Sequence, residues 1–229
     1  MGRLILEGNP LVEVQLRRSA QARRLSLRIS RLDGRATLTL PHRVPEREGM
    51  AFLRDREEWL RAHLDAIEPE VHVRIGGTVL FRGAELALVT GDVKRARLAQ
   101  GALMLPDDPE KTGKRVAAFL KLQARDALAD ASDRYSQALG KPYGRISLRD
   151  TRSRWGSCSS AGDLMYSWRL IMAPPEVLDY VAAHEVAHLQ HMDHSPRFWA
   201  AVERLYPTHK TCRTWLRTHG AALHRVRFD

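Results

Sequence analysis

The sequence predicts an α+β fold, β-rich in its first part and mostly helical in its second. Three observations predict it. Apolar and polar residues alternate with period 2 in several short runs before residue 105. One long helical stretch opens just after Pro106 and meets a stop at Gly140. Beyond Pro174 the apolar residues recur at helical spacing nearly to the end.

In chain order, Val12, Val14 and Leu16 alternate as one strand. Leu25, Leu27 and Ile29 alternate with Ser26, Arg28 and Ser30, Asp33-Gly34 supplies a tight turn, and Leu38 and Leu40 alternate with Thr37 and Thr39. That pattern predicts a hairpin with one apolar face. After Pro41 and Pro45 the period changes, and Met50, Leu53, Leu60, Leu64 and Ile67 mark one face of a helix from about 45 to 67. Residues 72–105 return to short strands, punctuated by Gly76-Gly77, Gly83 and Gly91. A boundary is expected near Pro106, giving a β-rich part over 1–105 with one helix and a second domain over 106–229.

In the second domain Asp108 can cap a helix with Pro109 in its first turn, running to Leu139 before Gly140 and Pro142 stop it. A strand at 145–150 and another at 164–172 follow. In the latter Leu164, Tyr166, Trp168, Leu170 and Met172 alternate with Met165, Ser167, Arg169 and Ile171. Helices are expected at 175–192, 196–205 and 209–224.

Length and composition bound the function. With 229 residues, 44% hydrophobic and 28% charged, the chain can bury a real core and is not disordered. It shows no signal-peptide pattern and no run long enough to span a bilayer. Two cysteines, Cys158 and Cys212, are too few for a disulfide framework, so a cytoplasmic location is expected. The net charge of +10 is shared evenly along the chain. Locally, Arg17, Arg18, Arg23, Arg24, Arg28, Arg31 and Arg35 face a single acid, Asp33. Two readings fit this cluster: a solvated strand face whose Arg stems cover apolar surface, or a patch that binds nucleic acid.

The segment that carries chemistry is His184-Glu185-Val186-Ala187-His188. On a helix, positions i and i+4 lie on one face, so two imidazoles can converge on one metal. The glutamate between them can take a proton from water on that metal. A zinc site open for catalysis has three protein ligands and a free position. Two histidines downstream, His191 and His194, compete for the third place. On an unbroken helix His191 lies about 10.5 Å of rise beyond His184, too far for a shared ion. Ser195-Pro196 reads as an N-cap followed by a first-turn proline, so a turn at 193–195 can swing His194 back. Turn chemistry favours His194, leaving His191 a supporting or substrate-side role. Asp193 is a candidate to orient a ligand histidine. Cys158, in RWGSC, reads as structural.

Residues 151–199, with the linked pieces RWGSC, SWRL, HExxH and HSxxFW, resemble the YgjP-like metallopeptidase family, relatives of the SprT and WLM metalloproteases. The Arg-rich N-terminal hairpin and LPHRVPERE are similar too. The resemblance implies a zincin-like metallopeptidase domain built on the HExxH helix and hydrolysing protein or peptide substrates. It also implies Zn2+ on His184, His188 and His194, the last matching the histidine of an HGxxF-type segment, with Glu185 as catalytic base. SprT-like relatives act at DNA, which gives nucleic acid through the Arg17–Arg35 cluster as an alternative partner.

Overall fold

A computed structural model describes residues 2–30 and 33–229. Its contacts divide the chain into two units, Met1–Pro69 and Glu70–Asp229. The first unit is a four-stranded sheet of β1 (Gly2–Leu6), β2 (Val12–Ser19), β3 (Ser26–Ile29) and β4 (Ala36–Pro41), in the order β1-β2-β4-β3. Leu38 on β4 pairs with Leu16 of the parallel β2 and with Leu27 of the antiparallel β3. Period-2 alternation thus lines one face with Val12, Val14, Leu16, Ala36, Leu38 and Leu40, all buried. The β3–β4 hairpin forms as expected. Gly34 takes a φ of 68° ahead of β4, while Arg31 and Leu32 lie outside the described residues.

The single helix expected over 45–67 is two: α1 (Glu46–Asp55) and α2 (Glu57–Asp65). Arg56 leaves helical geometry at φ −111° and ψ 11°. Leu53 and Leu60, one on each side of that break, are both fully buried against the sheet's core. In the arginine cluster, Arg18 donates to the His42 and Val44 carbonyls, and Arg35 pairs with Asp33. Arg17, Arg23, Arg24 and Arg28 are exposed.

In the second unit, β5 (Val71–His72) pairs with the C-terminal β13 (Val226–Arg227). The strands β6 (Thr78–Phe81), β7 (Ala84–Thr90), β8 (Arg97–Ala99) and β9 (Ala102–Leu105) form a sheet in the order β6-β7-β9-β8. Their buried Val79, Leu86, Leu88, Leu103 and Leu105 belong to one core with the helices that follow. The boundary expected near Pro106 therefore moves back to Pro69: strands that share a hydrophobic core with helices cannot be parted from them.

The long helix α3 (Thr112–Leu139) is preceded by a 3-10 turn at Pro109–Lys111, where the Asp108 carboxylate accepts from Lys111 N at 3.3 Å. Gly140 ends α3 with a φ of 68°, a left-handed cap that suits glycine. A second sheet holds β10 (Ile146–Arg149), β12 (Leu164–Ser167) and β11 (Gly156–Cys158), in the order β10-β12-β11. The strand expected over 164–172 stops at Ser167 and winds into a 3-10 turn over Trp168–Met172. Alternation misleads there because both faces are buried. Arg169, expected outward, is 6% exposed, with Asp150 on its Nε at 2.6 Å and the Leu223 and Val226 carbonyls on its Nη1. The remaining helices are α4 (Pro175–Ala187), α5 (Pro196–Leu205) and α6 (His209–Arg225). Among the described residues, no helix is long and apolar enough to cross a membrane.

Candidate metal centre

Helix α4 starts where the sequence says, with Pro174 extended and Pro175 in the first turn. It is apolar on nearly all sides: Val177, Leu178, Val181, Ala182, Ala183, Val186 and Ala187 are buried, many against α3. A helix hydrophobic all round belongs in the middle of a core, and here it carries His184 and Glu185 into one. The helix ends at Ala187, short of the expected 192. The chain then tightens, with Leu189 N donating to the Val186 carbonyl and Gln190 N and His191 N to that of Ala187.

That early end changes what His191 does. His191 does not stand on an unbroken helix, because α4 ends four residues before it. The turn brings the His191 carbonyl to His188 Nδ1 at 2.9 Å. A carbonyl only accepts, so the His188 proton sits on Nδ1 and Nε2 keeps its lone pair. His191 supports the site through its backbone. Its ring lies outside the histidine cluster.

Asp193 Oδ1 accepts from Ser195 N at 3.3 Å, and Ser195 Oγ accepts from Phe198 N at 3.4 Å to cap α5. Asp193 thus shapes the turn, and no hydrogen bond joins it to a histidine ring. The turn returns His194, whose Nε2 stands 3.2 Å from His184 Nε2. His184, His188 and His194 each offer a ligand atom, all within 4.8 Å of one another. Two nitrogens on one tetrahedral zinc, each about 2.0–2.1 Å from it, are about 3.4 Å apart. The spacing of His184 and His194 therefore fits a shared ion. Cys158 is not in the cluster; its thiol lies 3.4 Å from the Ser159 carbonyl.

Phe198 is the site residue that sequence reasoning passed over. It is fully buried, stacked on His188 at 4.3 Å and edge-on to His184 and His194, both at 4.9 Å. A single ring packs against all three imidazoles. Its signals in the sequence were its place in HSxxFW and its position three residues after the Ser195 cap, which turns it inward.

The electrostatics suit metal ligands. Burial first, then the neighbouring His188 and His194, hold His184 down to about 3, a neutral imidazole at any ordinary pH. His188 is likewise lowered, chiefly by burial. Burial drives Glu185 up to about 8 against the pull of Arg154, and a dication on the histidines would draw it down again. Glu185 is 5% exposed and lies flat against β11: a β-carbon on Gly156 would stand 2.5 Å from its Oε1. The side chain that comes against Gly156 is the Glu185 carboxylate. A cleft of about 370 Å³ adjoins, lined by Arg154, Trp155, Tyr180, Leu216 and other residues, with His184 and Glu185 in its wall.

A comparison with curated proteins finds no match. Among solved structures, the metallopeptidase zymogen of Pyrococcus abyssi abylysin is similar at 23% identity, over 40% of this chain and 92% of that one, with a TM-score of 0.37. A likeness that slight carries no argument. The family comparison is of another order: the model described as "YgjP-like, metallopeptidase domain" matches residues 23–219, most of both units and every residue of the histidine cluster. The chain belongs to the YgjP-like metallopeptidase family.

Proposed function

We propose that this metallopeptidase holds one zinc ion on His184, His188 and His194 and hydrolyses peptide bonds with Glu185 as general base. The observation that carries the proposal is the 3.2 Å approach of the His184 and His194 Nε2 atoms beside a buried carboxylate in a cleft wall. When bound, zinc supplies Lewis-acid polarisation of a carbonyl and lowers the pKa of a coordinated water to about 7. The protein's own groups do the rest. The His191 carbonyl fixes the tautomer of His188, and burial keeps His184 neutral, so both rings present lone pairs without losing a proton first. Glu185 takes the proton of the attacking water and passes it to the departing amine nitrogen.

An extended substrate needs a sheet edge beside this centre. The strand around 164–167 is unsuited, because β12 is paired on both sides, by β10 and β11. The edge of that sheet next to α4 is β11, and we assign the substrate's backbone to it. A closed structural zinc site is the weaker reading: among the described residues the cluster holds three ligand side chains and no fourth. The test is hydrolysis of unfolded protein or a peptide library by the metal-loaded chain, lost on chelation and restored by zinc. A fully loaded protein that cuts none of these substrates would overturn the proposal.

A further inference from the structure

The cleft beside the histidines is rimmed by three guanidinium groups, those of Arg154, Arg213 and Arg217. All three residues are exposed, and no carboxylate of the described residues is in ion-pair range of any of them. Arg213 and Arg217 stand one turn apart on α6, an arrangement that destabilises a helix by like-charge repulsion. Nothing on the helix relieves it: α6 contains no Asp or Glu. Arg213 is also held in place, its guanidinium 4.8 Å from the centre of the Trp199 ring, and Trp199 in turn packs against His184. The one carboxylate in the lining is the buried Glu185, which the proposed chemistry already uses. Between the arginines the lining is apolar: Trp155, Tyr180, Val181 and Leu216. Three guanidinium groups without an ion-pair partner, one of them held on Trp199, around an apolar slot suit an anion on an otherwise uncharged ligand.

We infer that the cleft selects substrates bearing a carboxylate close to the scissile peptide bond, gripped by Arg213 and Arg217 with Arg154 as a further donor. The inference rests on the peptidase reading for the word substrate, and its chemistry is that of a carboxylate. That group is either an acidic side chain or the free C-terminus of the peptide. Phosphate would satisfy the arginines too. A concave slot of about 370 Å³ has the size of a small-ligand site, however, whereas nucleic acids are gripped over a broad surface.

The test uses matched fluorescent peptides that differ only in Glu against Gln beside the central bond, each with a free or an amidated C-terminus. Binding is read by anisotropy on the zinc-loaded Glu185→Gln protein, and cleavage on the wild type. The Glu peptide, or the free-acid peptide if the terminus is what is read, should bind about tenfold tighter or better, the factor carried by hydrogen bonds to a charged group. Arg217→Gln and Arg154→Gln should each shrink that preference, and the double change Arg213→Glu with Arg217→Glu should reverse it toward a Lys peptide. Arg154 lies off α6, so its variant stands even if the double change disturbs the helix. Equal binding of all four peptides overturns the inference, as does tight binding of a single-stranded oligonucleotide to these arginines with no peptide preference. The two readings fail separately. Cleavage without preference sinks this inference alone, and preferential binding without any cleavage sinks the peptidase reading alone.

Discussion

Gly156 on β11 lies so close to Glu185 that a β-carbon at position 156 would fall 2.5 Å from Oε1 and 2.6 Å from Cγ of that glutamate. The carboxylate is thereby pressed into a fixed place between α4 and the strand's backbone. Gly156→Ala should displace it while leaving the histidines alone. A misplacement of about 1 Å can cost roughly 100-fold in rate. The variant should therefore keep its zinc and lose activity on that scale. Unchanged kcat/KM would mean that Glu185 does not need this position.

The division of labour between ligands and base gives the next outcome. His184→Ala and His188→Ala should each abolish zinc binding, measured as metal content after dialysis. Glu185→Gln should retain the metal and lose about 10²–10⁴-fold in rate, the contribution of a positioned proton acceptor. Metal lost from the Glu185→Gln protein would put Glu185 among the ligands. Phe198→Ala belongs with this set: emptying a fully buried aromatic costs about 3–5 kcal/mol, and the three rings that lean on it should hold zinc less tightly.

What could be read from the sequence and what could not divide along physical lines. Caps are local chemistry, and so Asp108, Ser195 and Gly140 marked helix ends correctly. Alternation is a surface signal, and it served for β2 to β4, where one face is solvated. It failed at 168–172, where Arg169 and Ile171 are as buried as their neighbours. The end of α4 also escaped: nothing in Leu189-Gln190-His191 resembles a stop, and the turn that follows Ala187 is tied by backbone bonds and by the His188 Nδ1 contact to the His191 carbonyl. The spacing of His184 and His188 was legible because a helix fixes it. Phe198 at the centre of the three rings, and Gly156 against Glu185, depend on elements far apart in sequence.

Stability should fall on mild acidification. His224 is 6% exposed and stacked on Trp155 at 4.8 Å; burial first, then the charges of Arg169 and Arg152, hold it down to about 4 against the pull of Asp150. The unfolded chain takes up this proton near 6.5 and the folded one does not until about 4. Above 6.5 the group therefore costs nothing, between 6.5 and 4 the unfolded state gains, and below 4 the loss is constant. A shift of this size is worth on the order of 3 kcal/mol. Denaturation midpoints followed across that range should fall for the wild type and fall less for His224→Phe, which keeps the stacking without the proton. Parallel curves would remove His224 as the cause.

The arginines of the first unit make a separate expectation. Arg17, Arg23, Arg24 and Arg28 are exposed. If they form a nucleic-acid patch, binding should fall steeply with salt, with a log–log slope that counts the phosphates neutralised. Reversing Arg23, Arg24 and Arg28 to Glu should flatten that slope across all sequences tested. A protein that ignores nucleic acid at low salt has only a solvated strand face there.

The sharpest outcome separates His194 from His191. Both follow the HExxH pair, and both are close to it in space, yet they meet it differently. His194 brings a ring nitrogen to 3.2 Å from His184 Nε2, while His191 brings a backbone oxygen to His188 Nδ1. Alanine removes a ring and leaves a carbonyl. His194→Ala should thus weaken zinc binding by orders of magnitude, whereas His191→Ala should keep the metal and nearly all the activity. Cys158→Ala should do the same, since its thiol is outside the cluster. To weaken the contribution of His191, the turn itself must be changed. Inserting one glycine after Leu189 should move the carbonyl away, free His188 to change tautomer, and lower zinc affinity about 10–100-fold, the usual cost of losing a partner behind a ligand histidine. Metal lost from His191→Ala but kept in His194→Ala would reverse the assignment, because only ring coordination by His191 could produce it.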